Sequence, residues 1–212
     1  MKYKGIIFDL DGVLVHTDKY HYLAWKQVAD RLGIYFDEEI NNRLRGVSRM
    51  ASLEIILEGS AQTFSEGQKA ELAEEKNAIY RRYLGGLTQN DLGAGVLSAL
   101  KKFRSMGLKL AVGSSSRNTG FILKKTGIYE FFDAVSDGNN IAKPKPDPEV
   151  FVKAADMLGL ENRQCLVVED AVSGVLAAAA AKMDCAAVGD AAKRNIATYN
   201  IESFDRLEEI VS

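Results

Sequence analysis

The sequence predicts an α/β fold: a Rossmann-like parallel sheet flanked by helices, with an inserted small α-helical cap domain. Three observations predict it. The apolar run 6–8 follows Gly5 without polar alternation, which suits a strand covered on both faces. From residue 94 onward strand-like and helix-like stretches alternate, which implies a parallel sheet with right-handed crossovers. Between them, residues 18–84 carry helical periodicity and no strand pattern.

The first strand runs into Asp9-Leu10-Asp11-Gly12-Val13, so two carboxylates fall at its carboxyl end, where open α/β sheets bind ligands. Gly12 allows the chain to turn away sharply. Two carboxylates in one crevice repel unless a cation sits between them or one is protonated, and a hard, oxygen-ligated cation such as Mg²⁺ meets that need. On spacing alone, the pair serves equally well as caps for the following turn.

In the inserted segment, His21, Trp25, Val28 and Leu32 share one helical face, and Gly33 ends that helix. A second helix is predicted over 37–44, and a third to Leu57 with Ser48 as its N-cap. Ser65 caps a long fourth helix, along which Ala70, Ala73, Asn77, Tyr80 and Leu84 keep helical spacing until Gly85-Gly86. The division expected is a core of residues 1–16 and 88–212 with a helical cap of residues 17–87. The two connections between them can act as hinges.

In the second half, a helix over 94–106 precedes a strand over 108–112. The hydroxyl-rich loop Gly113-Ser114-Ser115-Ser116-Arg117-Asn118 then opens a helix ending near Lys125. Hydroxyls and unsatisfied amides there suit a phosphate-sized anion, although an ordinary cap cluster has the same composition. After a strand over 134–136, all three prolines lie in Lys143-Pro144-Lys145-Pro146-Asp147-Pro148, a rigid segment that positions a lysine. Asp147 is the expected N-cap of a helix over 148–158. A strand over 165–168 ends in a second acidic pair, Glu169-Asp170, and is followed by a helix over 174–183 and a strand over 186–188.

Composition is that of an ordinary globular protein, with 47% hydrophobic and 26% charged residues. A formal charge of −2 gives no basic footprint for nucleic acid. No apolar run matches a signal peptide or a membrane span, so a cytoplasmic location with no membrane partner is expected. Cys165 and Cys185 lie in or beside apolar strands and are expected to be buried, reduced thiols.

Taken together, these segments resemble the four motifs of the haloacid dehalogenase superfamily of phosphoryl-transfer enzymes, in order and over essentially the whole chain. Asp9-Leu10-Asp11-Gly12-Val13 resembles the first motif, Ser114 the second, Lys145 the third and Glu169-Asp170 the fourth. Lys145 is preferred to Lys143 because Glu149 and Phe151 then match the acid and aromatic that follow the family's lysine. In the cap, Thr17-Asp18-Lys19-Tyr20-His21 with Trp25, and Arg45-Gly46-Val47-Ser48-Arg49, resemble the β-phosphoglucomutase subgroup. The chain departs from that subgroup at His16, where relatives carry an acid, and at Arg45, where a lysine is usual.

The resemblance implies a nucleophile at Asp9 and a general acid and base at Asp11. It implies Mg²⁺ held by Asp9, Asp11, Glu169 and Asp170, with Ser114 and Lys145 around the transferred phosphoryl group. His21 and Arg49 join the catalytic set, and Thr17, Trp25, Arg45, Gly46, Ser52, Lys76, Ser116, Arg117 and Asn118 are implied substrate contacts. The expected activity is interconversion of β-D-glucose 1-phosphate and glucose 6-phosphate by a monomer. A sugar-phosphate phosphatase is the nearest alternative, and a catalytically silent sugar-phosphate sensor a more distant one.

Overall fold

The computed structural model describes residues 2–44 and 47–212, so Arg45 and Gly46 lie outside the described residues. In chain order, β1 (Gly5–Phe8) is followed by helices α1 (Asp18–Arg31), α2 (Glu38–Asn42), α3 (Arg49–Leu57) and α4 (Glu66–Leu84). Next come α5 (Val96–Ser105), β2 (Lys109–Gly113), α6 (Thr119–Lys125), β3 (Ala134–Ser136), α7 (Glu149–Leu158) and β4 (Cys165–Glu169). The chain finishes with α8 (Val172–Ala180), β5 (Asp184–Ala187), α9 (Gly189–Ala192), β6 (Tyr199–Asn200) and α10 (Asp205–Val211). The chain divides into two compact units, residues 17–87 and the remainder.

In the α/β unit the six strands lie in the order β3-β2-β1-β4-β5-β6, and every pairing is parallel. The chain steps outward from β1 to β2 and β3, then returns to the other side of β1 as β4. That reversal opens a crevice beyond the carboxyl ends of β1 and β4. Register aligns Phe8 with both Val112 and Val168, so Asp9 emerges level with the last residues of β2 and β4. The Asp9 N–H still donates to Val168 O at 2.9 Å, extending the ladder by one residue.

Both faces of β1 are covered, which is why its apolar run shows no alternation. Ile7 joins a core cluster with Val150, Phe151 and Ala154 of α7 and Val175 and Ala178 of α8. On the opposite face Phe8 lies against the rings of Phe103, Phe132 and Phe204, with centroids 6.2–6.3 Å away. Backbone bridges pair Asp11 with Val15 and Val15 with Leu92, bringing the outgoing and returning chains side by side within this unit. Cys165 and Cys185 are free and buried, and burial raises the two thiols to about 11 and about 12.

Several element boundaries differ from the sequence expectation for identifiable reasons. Helix α5 starts at Val96 because Gly95 adopts a left-handed conformation, φ 77°. Helix α8 starts at Val172 and ends at Ala180, before Lys182 turns left-handed at φ 58°. Asp147 is not the N-cap of α7; Pro148 is, while the Asp147 carboxylate reaches past it to accept from the Glu149 N–H at 3.0 Å.

The helical unit is built chiefly by α1 and α3 packing on α4. Ser48 accepts from the Ala51 N–H to cap α3, and Ser65 with Gln68 forms a reciprocal capping box on α4. Trp25 and Val28 of α1 and Leu72, Ile79 and Tyr80 of α4 are buried in its core. Among the described residues, no helix is long and apolar enough to cross a membrane.

Candidate functional site

Four groups from three segments meet at the carboxyl edge of the sheet. Asp9, Glu169 and Asp170 are buried, and a carboxylate oxygen from each lies within 4.8 Å of the others. The Lys145 ammonium donates to Asp9 Oδ1, and to Glu169 Oε1 at 2.6 Å. Glu169 is tied further through Oε2, which accepts from the Ala171 N–H at 2.7 Å.

Two glycines make room for these acids. A Cβ at Gly174 would fall 1.8 Å from Glu169 Oε1, and one at Gly12 would fall 2.1 Å from Asp170 Oδ2. Gly12 also has a φ of 84°, a left-handed conformation, so both space and backbone select glycine there.

Lysine geometry separates the two sequence candidates. The Lys145 side chain is 3% exposed and lies between two acids, whereas Lys143 is 72% exposed and faces Asp147 at 3.8 Å. The Phe151 ring lies 4.7 Å from the Lys145 nitrogen and occupies space that a Cβ at Gly113 would take. Glu149 accepts from the Ala142 and Lys143 amides at 2.8–3.0 Å, which pins the proline segment at its start and lowers the Glu149 carboxyl below its usual range.

Burial acts on Lys145 to lower its proton affinity, but the Asp9 and Glu169 carboxylates outweigh it and hold the ammonium above the usual lysine range. Burial raises Asp9 well above an ordinary aspartate; Lys145 opposes this, and Glu169, Asp170 and Asp11 add to it. Three carboxylates face one ammonium, so this group of four carries an excess of two negative charges when fully ionised. A divalent, oxygen-seeking cation fits that donor set and balances that charge.

The hydroxyl loop lies beside this edge in the same unit. Ser114 is buried, its N–H donates to Ser136 O at 3.1 Å, and its Oγ accepts from the Ser116 N–H at 3.2 Å, leaving the hydroxyl proton as a donor. Ser116 Oγ in turn accepts from the Asn118 N–H at 3.2 Å, so part of the expected anion cradle is closed by its own hydroxyls. The Ser115 hydroxyl accepts from the Lys145 N–H at 3.3 Å, joining the second and third motifs. Arg117 is exposed and donates from Nε to Gly138 O at 3.2 Å, while Asn139 donates to Arg117 O at 3.0 Å.

The helical unit holds a second constellation. Lys76 is buried, lies 4.4 Å from the Tyr80 ring centroid and 5.1 Å from that of Trp25, and stands 2.8 Å from His21 Nδ1. An ammonium only donates, so Nδ1 accepts and the ring proton belongs on Nε2. Burial first, then the charges of Lys76 and Arg49, holds His21 well below the usual histidine range. Thr17 is buried and accepts from the Tyr80 hydroxyl at 3.2 Å. Ser52 is buried on α3, and Arg49 on the same helix is paired with α4 through Glu74 and Asn77.

The fold therefore gathers Asp9, Lys145, Glu169 and Asp170 at one sheet edge, and gathers Thr17, His21, Trp25 and Lys76 in the helical unit. Sequence reading missed the space-making role of Gly174, the Arg117 supports on the 137–140 loop, and the acceptors that hold Arg49. Gly174 had a signal: a glycine at the start of an alanine-rich helical stretch, five residues after Glu169, calls for a packing reason. The other two are contacts between segments far apart in sequence and carry no local pattern.

A family model described as haloacid dehalogenase-like hydrolase matches residues 3–182. The β-phosphoglucomutase of Bacillus subtilis (strain 168) is 41% identical over 188 residues, covering 88% of this chain and 83% of the relative. A phosphorylated carbohydrates phosphatase of Thermotoga maritima is 29% identical over 184 residues, covering 85% and 82%. The crystal structure of a β-phosphoglucomutase from Clostridium difficile superposes with a TM-score of 0.93 at 36% identity, covering 99% of this chain and 96% of that one.

Proposed function

Because the chain belongs to the haloacid dehalogenase-like hydrolase family, we propose that its sheet-edge cluster transfers phosphoryl groups, interconverting β-D-glucose 1-phosphate and D-glucose 6-phosphate. The observation that carries the chemistry is the buried Lys145 ammonium shared between Asp9 and Glu169 beside Asp170. The choice of a mutase rests on the likeness, over most of the chain, to two proteins named β-phosphoglucomutase.

In this reading Asp9 attacks the phosphorus of glucose 1,6-bisphosphate: a carboxylate oxygen–phosphorus bond forms and the phosphorus–sugar oxygen bond breaks, giving an aspartyl phosphate. Asp11 donates a proton to the departing sugar oxygen. It later takes one from the hydroxyl of glucose 1-phosphate that attacks the aspartyl phosphate, and the 1,6-bisphosphate so formed turns round before it gives its other phosphoryl group to Asp9. Lys145 supplies a fixed positive charge at Asp9, and the Ser114 hydroxyl donates to a phosphoryl oxygen. Asp9, Glu169 and Asp170, with the Asp11 backbone carbonyl, would hold Mg²⁺, which when bound neutralises phosphoryl charge.

Arg49 binds the phosphate that is not reacting. His21 and Lys76 link substrate binding to the placement of Asp11, and Thr17, Trp25, Arg45, Gly46, Ser52, Ser116, Arg117 and Asn118 complete the substrate contacts. The protein works on small sugar phosphates in the cytoplasm.

A second reading, a sugar-phosphate phosphatase, is favoured by the Thermotoga likeness, since one fold hosts both outcomes. The test is an assay of the purified protein with Mg²⁺, β-glucose 1-phosphate and a trace of glucose 1,6-bisphosphate, following glucose 6-phosphate and free phosphate together. Glucose 6-phosphate in excess of free phosphate is expected. Free phosphate without glucose 6-phosphate would assign the phosphatase instead.

A further inference from the structure

Arg49 lies on the first turn of α3, immediately after its Ser48 cap, and α4 offers its guanidinium two acceptors spaced three residues apart. Nη1 donates to Glu74 Oε1 at 2.7 Å, and Nη2 donates to Asn77 Oδ1 at 3.0 Å. The two acceptors differ in kind. Asn77 is neutral and fixes the direction of the fork, whereas Glu74 sets a full negative charge against the cation.

A guanidinium paired with a carboxylate offers less net charge to an incoming phosphate, and the carboxylate itself repels that anion. We propose that Glu74 is the residue that sets how tightly Arg49 holds the non-reacting phosphate, by competing with that phosphate for the guanidinium. This rests on the reading of Arg49 as a phosphate contact and adds a reason for its company. A sugar bisphosphate that must turn round between two transfers needs an anion grip that lets go, and a competing carboxylate weakens the grip without removing it. The Glu74 side chain is 70% exposed against 23% for Arg49, so solvent screens the competition and its effect is a few-fold.

Glu74→Gln keeps the length and the hydrogen-bond acceptor but removes the charge. Calorimetric titration of the Mg²⁺-loaded protein with glucose 6-phosphate, for wild type, Glu74→Gln, Arg49→Ala and the double variant, isolates the coupling. Glu74→Gln is expected to bind about two- to fivefold more tightly, with the gain shrinking as salt is added and vanishing when Arg49 is absent. In steady-state kinetics KM should fall by a similar factor without a rise in kcat.

If Arg49→Ala weakens binding while Glu74→Gln leaves it unchanged or weaker, the competition is overturned and the role of Arg49 stands. If Arg49→Ala leaves binding unchanged, the reading of Arg49 falls and the proposal falls with it. A Glu74→Gln variant that melts earlier but binds as before would make the pair purely structural, which also overturns the proposal.

Discussion

At the carboxyl edge of the sheet, Asp9 meets Lys145, 136 residues further along the chain, and Glu169, which lies 24 residues beyond that lysine; strand register and a rigid proline loop bring the three together. In the helical unit, His21, Arg49 and Lys76 are brought together by facing helices, with α1 and α3 packed on α4. The first group is buried and sets several carboxylates around one ammonium, so removing Lys145 leaves buried acids without a counter-charge. The second combines a buried lysine cushioned by aromatic rings with a partly exposed arginine whose partner is in solvent. Strand register builds a site with little tolerance, while helix surfaces build one whose strengths can be tuned.

The sharpest way to break this contrast is at Asp11. Asp11→Asn should keep metal and phosphate binding while lowering kcat by about 10²- to 10⁴-fold, the usual worth of a positioned proton-transfer group. Near-wild-type turnover in that variant would remove Asp11 from the mechanism.

Lys145→Met comes next. It leaves Asp9 and Glu169 buried without their ammonium and should cost about 3–5 kcal/mol of stability, read by urea denaturation in the absence of Mg²⁺. Lys143→Met, at a side chain 72% exposed, should stay within about 0.5 kcal/mol of the parent and retain activity. Equal losses at the two positions would undo the distinction drawn between them.

The smallest effect is expected in the helical unit. His21 titrates well below its ordinary value of 6.5 in the folded protein, chiefly through burial, so the unfolded chain binds more protons just below that pH. Its contribution to stability is present above pH 6.5 and is lost as pH falls from there toward the folded value. His21→Gln should flatten the fall in thermal stability below pH 6.5, and an unchanged profile would show that His21 does not titrate as a buried neutral ring.

The two regions also differ in how far the sequence alone reveals them. The sheet-edge acids are legible because each follows an apolar run, and in a parallel sheet the ends of such runs share one edge. Lys145 is narrowed by the prolines around it, but choosing it over Lys143 takes the offsets to Glu149 and Phe151, and the structure gives those residues physical work. Glu149 anchors the loop through two amides, and Phe151 lies against the ammonium. In the inserted segment the caps Ser48 and Ser65 and the Gly85 stop are readable from local chemistry.

What remains hidden is of two kinds. Strand β6 is two residues long and α9 only four, too short for any periodicity to mark the end of the sheet. Contacts such as Arg49 with Glu74 join residues 25 apart on different helices, and no spacing rule within a single helix reports them.

The claim on which the rest depends is that Asp9 carries the phosphoryl group. Brief reaction with glucose 1,6-bisphosphate labelled in its phosphate, acid quench and peptide mapping by mass spectrometry test it directly. Label is expected on the peptide containing Asp9, absent in Asp9→Asn and formed more slowly in Asp11→Asn. Label on Ser114, or wild-type labelling in Asp9→Asn, would contradict it.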